Sequence, residues 1–300
     1  MLAAPVRAQT RKAAPMTLLD REEYVEQAHF FHMLRERLPE SMPLQELLAQ
    51  LREETLATTR LPMAIDFLLS ELKYKGVFGS AMARLKHYFT PFQTYVIQEA
   101  EDDRGRLDMR IALEILRFEA EHRVDHPAPA AAFMYQFEAL CRNRLRYEAG
   151  LAAMAADPIY DEAWREWILT VRRQIGIVDF ADMVYVRSQH YINQRSRNRA
   201  PVTPEKPILF GEKEGKIALA NRRKDPLYLF AALQRHLGYP KVPRPKPADE
   251  TPQLIPQLMR RMERLETRLK LLEEEQKGGI DITKFYVPPP GSPPEPPDNE

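Results

Sequence analysis

Three hundred residues, 44% hydrophobic and 29% charged, suffice for one large or two modest globular cores. The single cysteine, Cys141, excludes an intramolecular disulfide and a multi-cysteine zinc site, and eleven glycines leave little material for a Gly-rich phosphate loop. A net charge of +1 conceals a division along the chain: residues 16–182 carry 20 basic against 28 acidic side chains, residues 183–247 carry 14 against 4, and residues 248–300 carry 7 against 11.

Residues 1–15 hold Arg7, Arg11 and Lys12 without an acid or an apolar run, so they read as a disordered extension rather than a secretory signal, with Met16 as an alternative start. Residues 16–199 read as a helical bundle domain, and the fold class expected is all-α, a multi-helix antiparallel bundle with short connections. Helices are predicted near 20–38, 43–58, 62–75, 79–101, 106–124, 130–156, 158–175 and 177–195. Asp20 with Glu23 resembles a capping box. Thr90-Pro91, Asp157-Pro158 and Asp225-Pro226 each pair an N-cap side chain with proline at a first helical position, where a missing N–H costs nothing.

The apolar spacing supplies the core faces. Leu44, Leu47, Leu48, Leu51 and Thr55 make one stripe, and Ile65, Leu68, Leu69 and Leu72 another. Tyr160, Trp164, Trp167, Ile168, Val171 and Ile175 form an aromatic-rich face opposite Glu162, Arg165, Glu166, Arg172 and Arg173. Cys141 falls among apolar residues, as expected of a buried, inert thiol. The longest uncharged apolar stretch, His126 to Phe137, is too short to cross a membrane, and no membrane association is expected.

Beyond residue 199 the pattern changes. Residues 200–239 read as a small basic subdomain, in which Ile208-Leu209-Phe210 and Ile217-Ala218-Leu219 leave a hairpin and a helix both open, and residues 226–237 form a helix closed by Gly238. Residues 240–252 are a Pro-rich linker without a core of its own. Residues 253–277 read as a coiled-coil helix: Ile255, Met262 and Leu269 occupy a positions, and Leu258, Leu265 and Leu272 occupy d. In a parallel pair Arg261 at g meets Glu266 at e of the second chain, and Arg268 meets Glu273, whereas an antiparallel pair sets Glu against Glu. Residues 278–300 read as a disordered tail, with an alternating run from Ile280 to Tyr286 suited to a partner's sheet edge or groove.

Chemistry-bearing motifs are sparse. GxGxxG, GxxxxGK[ST], GxSxG and HExxH are all missing. Two ExxH pairs, Glu26–His29 and Glu119–His122, evoke half of a di-metal site in a four-helix bundle, but about 0.7 such matches are expected by chance. Helical geometry points Glu26 and His29 away from the apolar face of Tyr24, Ala28, Phe31, Leu34 and Leu38. Glu119 and His122 fall inside the apolar arc of their helix, and Arg144 and Glu148 inside that of 130–156. A buried polar network of Glu119, His122, Arg144 and Glu148 is therefore expected, structural in its simplest form. No metal or other cofactor is expected. The basic arm, with Arg187, Tyr191, Arg195, Arg197, Arg199, Arg222, Arg223 and Lys224, mixes aromatic and cationic side chains in a way that suits nucleic acid or an acidic partner.

These features predict first a cytoplasmic, non-enzymatic scaffold or adaptor, self-associated as a parallel coiled-coil dimer and presenting its tail to a protein partner. The alternative is a nucleic-acid-binding protein that uses residues 185–224. A second alternative is a helical-bundle enzyme or metal protein centred on Glu119 and His122.

Overall fold

The computed structural model describes residues 18–38, 42–102, 107–198, 206–245 and 251–276. The chain divides into two units, Met1–Pro245 and Lys246–Glu300. The first contains helices α1 (Arg21–Arg37), α2 (Leu44–Glu54), α3 (Leu61–Lys75), α4 (Phe78–Arg84), α5 (Pro91–Glu101), α6 (Met109–Val124) and α7 (Pro129–Arg142). It continues with α8 (Tyr147–Ala155), α9 (Glu162–Gln174), α10 (Phe180–Val186), α11 (Gln189–Asn198), α12 (Glu212–Ala220) and α13 (Pro226–Leu237). The second contains α14 (Thr251–Gln276). Among the described residues there is no strand, only isolated bridges at Ile175–Val178 and Ser188–Phe210, so the fold is all-α as the composition predicts. No described helix is long and apolar enough to cross a membrane.

The predicted stripes face the core: Leu47, Leu48 and Leu51 of α2, Ile65, Leu68 and Leu72 of α3, and Trp164, Trp167, Ile168 and Val171 of α9 are all buried. The pairing is not simply sequential, however. α1 lies along α6, while α2 packs on α3, α4 on α5, α8 on both α5 and α9, α10 on α12, and α13 on α7. Phe133 and Phe137 of α7 meet Trp164 and Trp167 of α9, Phe180 of α10 and Phe230 of α13, and Phe210 closes edge-on against both tryptophans. Phe210 and Phe230 thereby make 206–245 part of the same core, and the expected separation of 200–239 as a subdomain does not appear in the packing. The open choice at 208–219 resolves as a helix, α12.

Several predicted long helices are broken, each for a local reason. The span 79–101 divides into α4 and α5 because Thr90, held extended before Pro91, starts a new helix with a complete capping box shared with Gln93. The span 130–156 divides at Asn143–Arg146, where Arg144 takes a left-handed conformation at φ 53° and Leu145 turns inward, its N–H donating to Leu140. The span 177–195 divides where the Arg187 carbonyl accepts the N–H groups of Leu209 and Phe210. Asp157-Pro158 does not cap a helix: α9 starts after Asp161, whose carboxylate accepts the Trp164 N–H, while Asp157 turns into the core. Thr90-Pro91 and Asp225-Pro226 do start helices, and Gly238 closes α13 at φ 72°.

Glu23 makes no capping box with Asp20. Its carboxylate accepts the Arg60 N–H at the start of α3 (2.8 Å) and the Tyr88 hydroxyl (3.0 Å). Glu101 of α5 similarly accepts the first two amides of α4. Acids on one helix thus satisfy orphan N–H groups at the start of another, fixing tertiary contacts with the same bond that caps the helix.

The predicted linker 240–252 is also partly structured. Tyr239 donates its hydroxyl to Glu138 (2.7 Å), Val242 is buried, and the Pro243 carbonyl accepts from Asn143 (3.1 Å). Residues 239–245 form a strap over the C-terminal end of α7. In the second unit α14 runs unbroken through the heptads. The side chains of Ile255 and Leu258 lie outside the described residues, as do the expected extension 1–15 and the tail 278–300.

Candidate functional site

The buried polar centre forms around α6, but with a different membership from the one the sequence suggests. Arg123 lies one turn beyond Glu119, and both are 3% exposed. The Arg123 guanidinium donates through Nε to Glu119 (2.7 Å) and through both terminal nitrogens to the fully buried Asp157. Gln136 of α7 gives its two amide hydrogens to Glu119 (3.2 Å) and Asp157 (3.3 Å) and accepts from the Tyr160 hydroxyl (2.8 Å). Gln93 of α5 gives its two to Glu119 (3.0 Å) and to Gln27 of α1 (3.1 Å), while its carbonyl accepts the Thr90 N–H. Gln27 donates in turn to the Tyr88 carbonyl, and the Tyr88 hydroxyl reaches Glu23. The network thus runs from the turn before α9 to Gln27 of α1, and Tyr88, held by Gln27 at its carbonyl and by Glu23 at its hydroxyl, connects it to the start of α3.

The electrostatics follow from burial. Desolvation alone would pull the Arg123 guanidinium down, but Asp157 and Glu119 outweigh it and hold the group firmly charged. Burial, reinforced by Asp157, raises the Tyr160 phenol well above its usual range, so it remains a donor. Gln93 and Gln136 each use both amide hydrogens and the oxygen, while Gln27 donates one hydrogen and accepts through its oxygen.

Of the expected four residues only Glu119 belongs to this network. The break after α7 carries Arg144 and Glu148 to exposed positions, Arg144 in the turn and Glu148 in the first turn of α8. His122 is half-buried and stands edge-on to Tyr135, and burial with the adjacent Arg123 charge lowers its pKa to about 4. Glu26, expected to face solvent, is buried and accepts the Leu56 N–H (3.1 Å), while His29 is exposed as expected. No group of three or more His, Cys, Asp or Glu side chains among the described residues is placed to hold a metal ion. Burial pushes the Cys141 thiol up to about 12, as fits an inert core cysteine.

The basic arm is docked on its own unit. Glu212, at the start of α12, accepts from His190 Nδ1 (2.8 Å) and Asn193 (2.7 Å), and the hydrogen bond from His190 lowers its pKa. A Cβ at Gly215 would collide with Ser188 and His190, so glycine there is what lets α11 approach α12. Arg222 pairs with Asp182 and lies over the Tyr185 ring; Tyr185 meets Tyr191 edge-on, and Arg195 lies over Tyr191. Arg187 is half-buried. Of the cations expected to make contacts, Arg195, Arg222, Arg223 and Lys224 are exposed. The side chains of Arg197 and Arg199 lie outside the described residues.

α14 carries the other notable surface. Met262, Leu265, Leu269 and Leu272 fall on one face and are each 57–60% exposed. No protein-family model, no curated protein and no solved structure matches the chain. Function must therefore be read from the chain's own geometry.

Two substitutions test the arrangement around α6. Arg123→Met leaves two buried carboxylates facing each other and is expected to cost about 3–5 kcal/mol in urea unfolding; a loss below about 1 kcal/mol would contradict the network. His122, neutral in the folded state down to about pH 4, adds an acid-sensitive term. Between about pH 6.5 and 4 the unfolded chain takes up a proton there that the folded chain does not, so stability falls as the pH falls through that window. Relative to wild type, His122→Phe should retain up to about 3 kcal/mol more at pH 4 than at pH 7. Parallel stability–pH profiles for the two proteins would refute this.

Proposed function

We propose that the chain is a non-enzymatic helical scaffold, self-associated through α14 as a parallel coiled-coil dimer, that presents its C-terminal segment to a protein partner. The observation that carries this reading is the exposed a/d seam. Met262, Leu265, Leu269 and Leu272 lie on a single face of α14, and an exposed stripe of this kind gains free energy when a second copy covers it. Full burial of each leucine is worth about 1.5–3 kcal/mol, against which stand the costs of association and the shortness of a three-heptad segment.

Charge decides the occupant and its direction. The exposed Arg261 and Arg268 lie on the g side of the seam, and the exposed Glu266 and Glu273 on the e side. A parallel second copy brings opposite charges together along both flanks, whereas an antiparallel copy brings like charges together. The closed hydrogen bonding around Glu119 supports a structural role for the buried centre rather than a catalytic one. Cytoplasmic residence accords with a single cysteine. The segment from Ile280 to Tyr286, with its apolar and polar alternation, is the part assigned to the partner.

Leu272→Cys provides the direct test, because a parallel in-register pair sets the two introduced thiols side by side while an antiparallel pair sets them at opposite ends. Mild oxidation should yield a covalent dimer, and adding Leu265→Asp, which puts a carboxylate in the seam, should abolish it. A cross-link that survives Leu265→Asp, or none in the Leu272→Cys protein, would refute the parallel dimer.

A further inference from the structure

The buried polar centre borders a cavity at the C-terminal end of α6. Arg123 and Tyr24, each at most 3% exposed, line it together with the apolar side chains of Leu18, Pro127, Pro129 and Ile159. Its volume of about 260 Å³ lies just under the roughly 300–1,000 Å³ of sites for drug-sized ligands, so it suits a smaller molecule. The lining is held in place by the backbone. The Leu19 N–H donates to the Tyr24 hydroxyl (3.2 Å) beside Leu18, and the Ile159 N–H donates to Asp157 (3.1 Å). His126, also at the cavity, takes a left-handed conformation at φ 48° while its N–H donates to the Arg123 carbonyl. The prolines at 127 and 129 stiffen the segment that follows. Such a lining loses little conformational freedom when it is occupied.

The two buried side chains of this lining have donors to spare. A guanidinium carries five N–H groups. Arg123 directs Nε to Glu119, both hydrogens of Nη2 to Glu119 and Asp157, and one hydrogen of Nη1 to Asp157. The second Nη1 hydrogen has no acceptor among the described residues. The Tyr24 hydroxyl accepts from Leu19, and its own hydrogen likewise has no acceptor among them. Burial raises the Tyr24 pKa, so that hydrogen stays in place. The guanidinium lies over the Tyr24 ring, 5.9 Å from its centre, and its charge acts on the hydroxyl, which brings the two spare donors together. The carboxylates beside them are taken, Glu119 by Arg123, Gln93 and Gln136, and Asp157 by Arg123, Gln136 and Ile159. Buried donors without acceptors cost free energy that a carbonyl oxygen relieves. An anion fits less well, because Glu119 and Asp157 outnumber the one guanidinium.

We infer that this cavity binds a small neutral molecule with an apolar body and a carbonyl oxygen. The oxygen accepts from Arg123 Nη1 and from the Tyr24 hydroxyl, and the body lies against Leu18, Pro127, Pro129 and Ile159. Binding here does not depend on self-association through α14.

Ligand-observed NMR titrations on the full chain test this with three probes of similar shape. Acetophenone carries the carbonyl, ethylbenzene lacks it, and benzoate replaces it with a charge. Acetophenone should bind with a dissociation constant of about 1 mM or tighter. Ethylbenzene and benzoate should each bind at least about fivefold more weakly. Tyr24→Phe removes one donor and should weaken acetophenone by about threefold or more while leaving ethylbenzene unchanged. Ile159→Trp fills the cavity with both donors intact and should abolish acetophenone binding. Ile159 is partly exposed and its side chain lies outside the polar network, and thermal melts close to wild type would show that the variants fold. No binding of acetophenone, equal binding of ethylbenzene or benzoate, or undiminished binding by either folded variant would overturn the inference.

Discussion

Arg123 holds Glu119 and Asp157 inside the helical unit, and the arrangement of the helices around it depends on that contact. Two buried carboxylates against one guanidinium leave an excess of negative charge, which the amides of Gln136 and Gln93 solvate in place of water. Each donor arrives from a different element: Arg123 from α6, Gln136 from α7, Gln93 from α5, and through Gln93 the connection passes to Gln27 on α1. Removing any one member strands a buried polar group. A network of this kind adds little net stability compared with apolar packing, but it penalises every arrangement in which the helices are shifted by a turn. It acts alongside the apolar residues that the two helices bury, Phe31 and Leu34 on α1 and Ala112, Ile115 and Leu116 on α6, in holding α1 along α6.

The same logic recurs at the periphery. Glu23 binds the start of α3, Glu101 the start of α4, and Glu138 the hydroxyl of Tyr239 in the strap. Each bond satisfies a group that would otherwise be orphaned and also locks two elements together. The acidic surplus of residues 16–182 is in part this internal use of carboxylates rather than a feature of the surface. The basic surplus that follows is in part internal too, through Arg222 on Asp182 and His190 on Glu212.

Helical class, core faces and heptads were legible because each rests on a periodicity that a few residues display locally. The long-range polar partners were not. Asp157 beside Pro158 has the form of an N-cap, and nothing local distinguishes a carboxylate that caps a helix from one drawn into the core by an arginine 34 positions earlier. Arg123, one turn after Glu119 on the same apolar arc, carries a local signal, whereas the ExxH spacing points to His122 instead. Arg144 and Glu148 were misplaced because no proline or glycine marks the break at Asn143; only the left-handed turn at Arg144 and the inward pull of Leu145 create it. Glu26 lies beyond the apolar arc of α1, and its burial comes from the distant turn at Leu56, whose N–H it accepts, which no local spacing reveals.

The apolar side chains left uncovered on α14 suit assembly. The mass of the intact chain in solution tests this most directly. Sedimentation equilibrium at about 100 μM, well above the dissociation constant expected of a short coiled coil, should give twice 34.9 kDa, moving towards 34.9 kDa on dilution. A mass of 34.9 kDa at every concentration would contradict the self-associating scaffold.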